Sequence, residues 1–367
     1  MFVMSDLPRI AMLSSSTPEI AAEIIGAKAR DRIAPGWGID QRVVSVVAQS
    51  RRIVVVDEVY YTLDLSVTVH DFLLEFMKEK LGLAWGTAEL AKPYPERHPV
   101  LQWHDHNSIR WQLLRKDIPA GITVKSHPSG PIAALYSMAY DLFTVANNSL
   151  LDEKLLRRLR HNDQFQGARY ELYTRAFFLR GGFGIELENE NDRKDSHCEF
   201  TATSKQSGKS FSVEAKSRHR AGLLGQVGDR KSEESIQLDF SHLFSEALGK
   251  NATHMRIIFI DVNLPASDPA HLVPHWFDRL SRTVEKKERL TLEDGTRLPP
   301  CYLVVTNQPY HYGNPEAEAP NTRVVVAGFN IPGYRELTRE ELWTLHPVVA
   351  ELVGAAASNL AMPVTFP

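Results

Sequence analysis

Hydrophobic and polar positions along this chain fall into blocks that switch between a helical period and a strand period. Apolar residues recur at helical spacing over Thr68–Lys80 and Pro131–Asn147, and Leu150–Arg160 is a shorter amphipathic run; each predicts a helix. Another helix is expected over Ala168–Arg180, opened by Gly167–Glu171 and closed by Gly181 and Gly182, since glycine suits a helix C-terminus. The period then drops to two. Phe183–Glu188, Cys198–Thr203 and Ser210–Ser217 read as strands, and the polar stretch Ser204–Lys209, with Gly208 in it, reads as the turn of a hairpin. Alternation across a strand puts Phe211, Val213 and Ala215 on one face and Ser212, Glu214 and Lys216 on the other. In the preceding strand Cys198, Phe200 and Ala202 separate in the same way from Glu199, Thr201 and Thr203.

Downstream, Ile236–Gly249 and His271–Leu290 predict helices, and Arg256–Val262, Cys301–Thr306 and Thr322–Gly328 predict strands. A last helix is expected over Thr338–Ala357, with Thr338 and Glu341 spaced as a capping box. Near the start, Arg52–Tyr61 is rich in β-branched and aromatic residues and predicts a strand or hairpin. The prolines of Lys92–Pro99 predict a loop.

Composition changes this picture little. The chain has 367 residues, 43% hydrophobic and 24% charged, an ordinary globular balance with length for two domains or one elaborated one. A formal net charge of -3 gives no whole-molecule basic signature, so any nucleic-acid contact must come from a local patch. Only Cys198 and Cys301 are present, which excludes a disulfide framework and a cysteine-rich zinc site. The start, Met1–Asp6, lacks a signal-peptide pattern, and no apolar run nears the ~18 residues of a membrane span. A cytoplasmic protein is expected.

Candidate chemistry gathers on the hairpin. Glu199, Glu214 and Lys216 share its polar face, and the helix before it carries Glu171. Hard oxygen donors converging in this way suit a divalent cation. Elsewhere the signals are thinner. His104 and His106 have a spacing that a strand could turn into a metal pair, but no third ligand stands nearby. The cations of Arg157–His161 suit either phosphate binding or a helix C-terminus. The Ser217–Ser235 connection carries Arg218, Arg220, Arg230 and Lys231 among glycines. It reads equally as a loop closing over a nucleic-acid backbone and as a mobile surface loop.

At these residues the chain resembles the PD-(D/E)XK nuclease superfamily, the fold of many restriction endonucleases. The match is one of order, over roughly Gln166–Asn263: a helix with a glutamate, an acidic residue on a strand, a hairpin, then Glu214-Ala-Lys216 as the E-x-K element. The usual Pro-Asp before the hairpin is absent. Its place falls to Glu199, which has Phe200 and Ala202 as an apolar face behind it, or to Asp195 in the polar run just before. The resemblance implies an α/β fold with a restriction-endonuclease-like core, a central mixed sheet flanked by helices in the order αβββαβ. Residues 1–160 would be a mixed α+β accessory region, and residues 161–367 the catalytic domain with a C-terminal sheet extension.

It further implies a nuclease that hydrolyses phosphodiester bonds with Mg²⁺ or Mn²⁺, acting on DNA ahead of RNA and away from membranes. Glu199, Glu214 and the Ala215 carbonyl would bind the metal, with Asp195 the alternative to Glu199. Lys216 would hold the attacking water, and Glu171 would support the site or bind a second ion. Gln237 occupies a place where some members carry a glutamine, and His311 lies on a loop near the same face. A second copy or a helper protein is the further partner expected. The rival expectation is a nucleic-acid-binding or scaffold protein that kept this fold without catalysis.

Overall fold

The structure, a computed structural model, describes residues 11–12, 44–119, 122, 124–188, 197–271, 273–292, 294–359 and 362–366. Its first sheet is antiparallel: β1 (Ala11–Met12), β2 (Val44–Ala48), β3 (Arg51–Val56) and β4 (Val59–Asp64), in the order β1-β4-β3-β2. Asp57 holds a φ of 53° in the tight turn between β3 and β4, a left-handed position that Asp tolerates better than most residues. Helix α1 (Val69–Leu81) follows, capped by Thr68, whose hydroxyl accepts from Asp71 N while Asp71 accepts from Thr68 N. That reciprocal box satisfies two otherwise orphaned donors.

α2 (Leu83–Leu90), α3 (Pro99–Arg115), α4 (Gly130–Ala146) and α5 (Glu153–Leu159) complete the N-terminal half. α4 is apolar around most of its circumference, and it is buried among α1, α3 and the long helix that follows. That next helix, α6 (Asn162–Arg180), joins two cores. Leu172, Ala176 and Leu179 pack into the N-terminal core with Phe72, Leu142 and Phe143. Tyr170, Tyr173, Phe177 and Phe178 pack into the second core, against the larger sheet. α6 stops where expected, and Gly182 takes a φ of 80°.

The larger sheet is mixed and six-stranded, in the order β10-β9-β8-β7-β6-β5. Its strands are β5 (Phe183–Leu187), β6 (Phe200–Ser204), β7 (Ser210–Ser217), β8 (Met255–Asp261), β9 (Cys301–Asn307) and β10 (Arg323–Phe329). β5, β6 and β7 form an antiparallel meander, β8 and β9 run parallel to β7, and β10 is antiparallel to β9. Crossovers through α7 (Ser241–Leu248) and α8 (Phe277–Glu288) make the parallel pairings, as a parallel connection requires. β8 is apolar on both sides because both faces are covered. Ile257 and Phe259 meet α6, while Ile258 and Ile260 meet Phe244 of α7 and Leu280 of α8. From α6 to β8 the elements therefore run helix, three strands, helix, strand.

Several expected boundaries move. α6 begins at Asn162 rather than Ala168: Phe165 of its first turns is buried in the N-terminal core, and Gln226 Nε2 of the loop after β7 donates to the Asp163 carbonyl. The helix expected over Ile236–Gly249 begins only at Ser241. The last helix divides into α9 (Arg339–Leu345) and α10 (Pro347–Asn359), since Pro347 cannot donate into a continuing helix. The capping box at Thr338 and Glu341 is present. α2 and α3 stand where the sequence predicts no helix. No helix among the described residues is long and apolar enough to cross a membrane.

Candidate active site

The turn of the β6–β7 hairpin fixes the phase of both strands. Gly208, at a φ of 69°, donates to the Ser204 carbonyl at 2.8 Å. Phe200 then pairs with Val213, and Ala202 with Phe211, so the apolar side chains share one core. One residue before β6, Glu199 donates its N–H to the Val213 carbonyl at 2.9 Å. Phe200 is already paired with Val213, so Glu199 and Phe200 face one residue of β7 in the manner of a bulge, and Glu199 lies close enough to Glu214 to feel its charge.

Here the meander opens. β5 ends at Leu187 and β6 pairs with β7 only as far as Val213, while β7 continues to Ser217 against β8. Val213 turns its carbonyl toward β6, so the alternation of the strand turns the Ala215 carbonyl the same way. There it faces the side that β6 has left.

Glu214 is 1% exposed, and neither of its oxygens has a hydrogen-bond partner among the described residues. Lys216 Nζ lies 2.8 Å from Oε1, an ion contact off the direction of a hydrogen bond. Burial raises the Glu214 carboxyl above its ordinary range, and the charges of Lys216 and Lys250 oppose the rise. Glu199 is half-buried and pushed up to about 7, first by burial and then by the negative charges of Glu171 and Glu214, with Arg158 and Lys216 opposing. Burial works against the Lys216 ammonium as well. The carboxylates outweigh it, and its pKa ends above the usual lysine value.

Glu171 has different surroundings. Its Oε1 accepts from Arg175 Nη2 and its Oε2 from Arg158 Nη1, both at 2.5 Å. Arg175 also bonds the Asp152 carboxylate and the Leu150 carbonyl. Glu171 thus adds negative charge near Glu199 while both its oxygens are already committed.

A divalent cation, which the family resemblance implies, fits this donor set. Two carboxylates whose pKa values burial raises, one of them with Lys216 as its close countercharge, stand beside the Ala215 carbonyl. Glu199, Glu214 and the Ala215 carbonyl are the groups that would hold it. Among the described residues no cluster of three or more His, Cys, Asp or Glu side chains is arranged for a metal ion. Mg²⁺ keeps several waters and binds through one or two carboxylates, so the two-carboxylate set suffices. Asp195 lies outside the described residues.

The cations of the Ser217–Ser235 connection divide into anchors and exposed groups. Arg220 caps the carbonyls of Asn263, Val262 and Gln237. Arg230 Nη2 bonds Glu233 and the His311 carbonyl. Arg218 forms a surface pair with Asp239 at 2.8 Å, and Lys231 is exposed. The connection is a packed wall, with Leu223 and Leu224 only 4% and 7% exposed.

Three weaker candidates resolve as structural. His104 and His106 lie on α3, not a strand, and two residues apart on a helix their side chains diverge. His106 bonds Tyr94 and Glu316. Gln237 precedes α7 and accepts from Arg279 at 2.6 Å. His311 Nε2 bonds Asn263 Oδ1 at 2.6 Å.

Sequence reasoning missed Arg158 and Arg175 as partners of Glu171, although the Arg157–His161 run had drawn notice for another reason. It also missed Asp261, fully buried at the end of β8 and pushed up to about 6 by burial, with Arg169 opposing. A carboxylate closing an apolar strand is the signal that marks it. Compared with known protein families, curated proteins and solved structures, the chain matches none.

Proposed function

We propose that this chain is a metal-dependent nuclease of the PD-(D/E)XK type, cutting phosphodiester bonds in DNA ahead of RNA. In this reading residues 161–367 are the catalytic domain and residues 1–160 an accessory region. The observation that carries it is Glu214: a carboxylate 1% exposed, both oxygens without a hydrogen-bond partner, with Lys216 Nζ at 2.8 Å. Burying such a group with a single ammonium beside it is costly, and the nearby charge of Glu199 adds to the cost. The helix, three strands, helix, strand order around it supports the same reading.

Bound at Glu199, Glu214 and the Ala215 carbonyl, Mg²⁺ or Mn²⁺ would supply Lewis-acid stabilisation and a lowered pKa for its water. The residues do the rest. Lys216 donates to the attacking water and to the phosphoryl oxygen on which charge grows. The water oxygen bonds to phosphorus, the bond to the leaving oxygen breaks, the water's proton passes to solvent, and the leaving oxygen takes a proton from a second water. Glu171 acts as a positioning residue, holding Arg158 near Glu199. Lys231, which is exposed, and the half-exposed Arg218 are the cations that would meet the backbone.

A second reading, a nucleic-acid-binding protein without catalysis, draws on the lack of a three-ligand cluster among the described residues. Cleavage of single- and double-stranded DNA and RNA with Mg²⁺ or Mn²⁺, wild type beside Lys216→Ala, decides between them. Hydrolysis predicts cleavage that falls about a hundredfold or more in the variant. Binding of nucleic acid with no cleavage of any form would leave only the second reading.

A further inference from the structure

Helix α8 buries one side and turns a row of cations outward on the other. Leu280 and Val284, with Trp276 just before the helix, pack on Ile258 and Ile260 of β8 and on Phe244 of α7. Away from that core stand Arg279, Arg282, Lys286 and Arg289, the last as the C-cap residue. They recur at steps of three, four and three residues, which places them in one row, and all four are exposed. At ~1.5 Å of rise per residue the row runs ~15 Å.

No carboxylate answers these charges among the described residues. Arg279 Nη1 donates to Gln237 Oε1, a neutral amide, at 2.6 Å, and Arg282 Nε donates to the Asp278 carbonyl at 3.3 Å. Lys286 and Arg289 form no ion pair with described residues. Glu285 and Glu288 of the same helix turn instead to Arg335, at 2.9 and 2.7 Å. Asp278, exposed in the first turn, is the one acid of the helix left beside the row. The macrodipole accounts for cations near the C-terminus, where Lys286 and Arg289 sit, but it opposes Arg279 in the first turn. In a chain of net charge -3 the row is a local excess of positive charge.

We infer that the exposed row of α8 binds the phosphate backbone of a nucleic acid. A polymer with a charge on every repeat can meet all four cations at once, which one small anion cannot. A helix lying on a membrane turns Trp, Phe or Leu toward the lipid, whereas α8 turns Leu280 and Val284 inward. Leu290 and Leu292, exposed beyond its end, make a lipid surface the rival that the test must answer. At its N-terminal end the row meets the connection that follows β7, since Arg220 Nη2 donates to the carbonyl of the same Gln237 at 3.3 Å. α8 also covers the sheet face opposite Phe211 and Val213, the face toward which Glu214 and Lys216 alternate. Naming nucleic acid as the polyanion rests on the nuclease reading, while the row itself does not depend on catalysis.

Fluorescence anisotropy with short labelled DNA and RNA duplexes tests it, on the full chain in EDTA so that metal-dependent cleavage is silent. Four phosphate contacts on DNA predict a slope of log affinity against log salt of about -3.6. Replacing two of the cations, by Arg282→Gln with Lys286→Gln, should make that slope shallower by about two and weaken binding about tenfold at low salt. Arg282→Lys with Lys286→Arg keeps the charge and should bind as wild type does. Thermal unfolding confirms that each variant is folded. No saturable binding to either duplex, or a folded double glutamine variant with wild-type affinity and slope, overturns the inference. Binding to phosphatidylserine vesicles with none to the duplexes overturns it as well and gives the row to a membrane surface. Cleavage with Mg²⁺ is measured apart: binding through the row without cleavage counts against hydrolysis alone, and cleavage by a chain whose double glutamine variant binds as wild type counts against the row alone.

Discussion

Glu171 on α6 and Glu214 on β7 are both buried carboxylates, 4% and 1% exposed, yet their surroundings are opposite. Two arginines saturate Glu171, and they tie α5 to α6. Glu214 has one ammonium beside it, no hydrogen-bond partner of good geometry, and the charge of Glu199 close by. Burial pushes the Glu214 carboxyl above its ordinary range despite Lys216, whereas the Glu171 oxygens are taken up by guanidinium donors. The contrast separates a carboxylate that holds the fold together from one kept open for something the chain does not itself contain.

Glu214→Gln should show the largest effect. A bound cation contributes several kcal/mol to the transition state, so loss of a charged ligand predicts about a thousandfold lower cleavage rate. Stability in the absence of metal should not fall, because the substitution removes a buried charge. A variant that cleaves at near wild-type rate, or whose thermal midpoint drops sharply, would erase the distinction between the two glutamates.

Glu171→Gln should behave in the reverse way. Removing the charge of a buried ion pair costs about 3 kcal/mol, since glutamine keeps one acceptor oxygen and turns an NH₂ donor toward the other arginine. Arg175 keeps Asp152 and the Leu150 carbonyl, which places the loss at the lower end of such effects. Denaturant unfolding measures it. Cleavage at a temperature where the variant stays folded should fall much less than in Glu214→Gln. Equal losses would mean that Glu171 is itself a ligand.

Much of the open site was legible in the sequence because strand alternation is a local signal. Phe211 and Val213 on one face dictate where Glu214 points, whatever the rest of the chain does. Glu199 stands one residue before β6 and shares Val213 with Phe200 as a backbone partner, so strand alternation alone does not place it. The closed site was not legible. Glu171 reads as one more charge on an amphipathic helix, and the arginines that claim it come from α5 and from the next turn of α6. Only tertiary packing brings Arg158 there. α3 escaped notice for a related reason: its buried residues, Pro99, Val100, Leu101 and Trp103, cluster at one end, so no apolar stripe runs along it. The proline stretch before it, read as a loop over Lys92–Pro99, holds a 3₁₀ turn over Tyr94–Glu96 and gives Pro99 to the helix, and that helix was not read.

The smallest effect is the most selective. Glu199 titrates at about 7, above the ordinary value of 4.5, so the folded chain retains a proton there that the unfolded chain has lost. Between those two values the metal-free protein loses stability from this group as pH rises, because the folded state binds more protons. A cation reverses the balance by taking the proton's place. Mn²⁺ affinity should therefore climb by up to about tenfold per pH unit toward 7 and level off above it. Stability alone would not isolate Glu199, because Asp261, pushed up to about 6, contributes a slope of the same sign. Affinity separates it from Asp261, which bonds within the strand ends and not at the open edge, and the Glu199→Gln variant separates it from Glu214, whose carboxyl is raised as well. In Glu199→Gln that slope should flatten and affinity should stay low at every pH. A wild-type affinity that does not change across this window would show that Glu199 holds no part of the cation, leaving Glu214 to bind it with Lys216 alone for company.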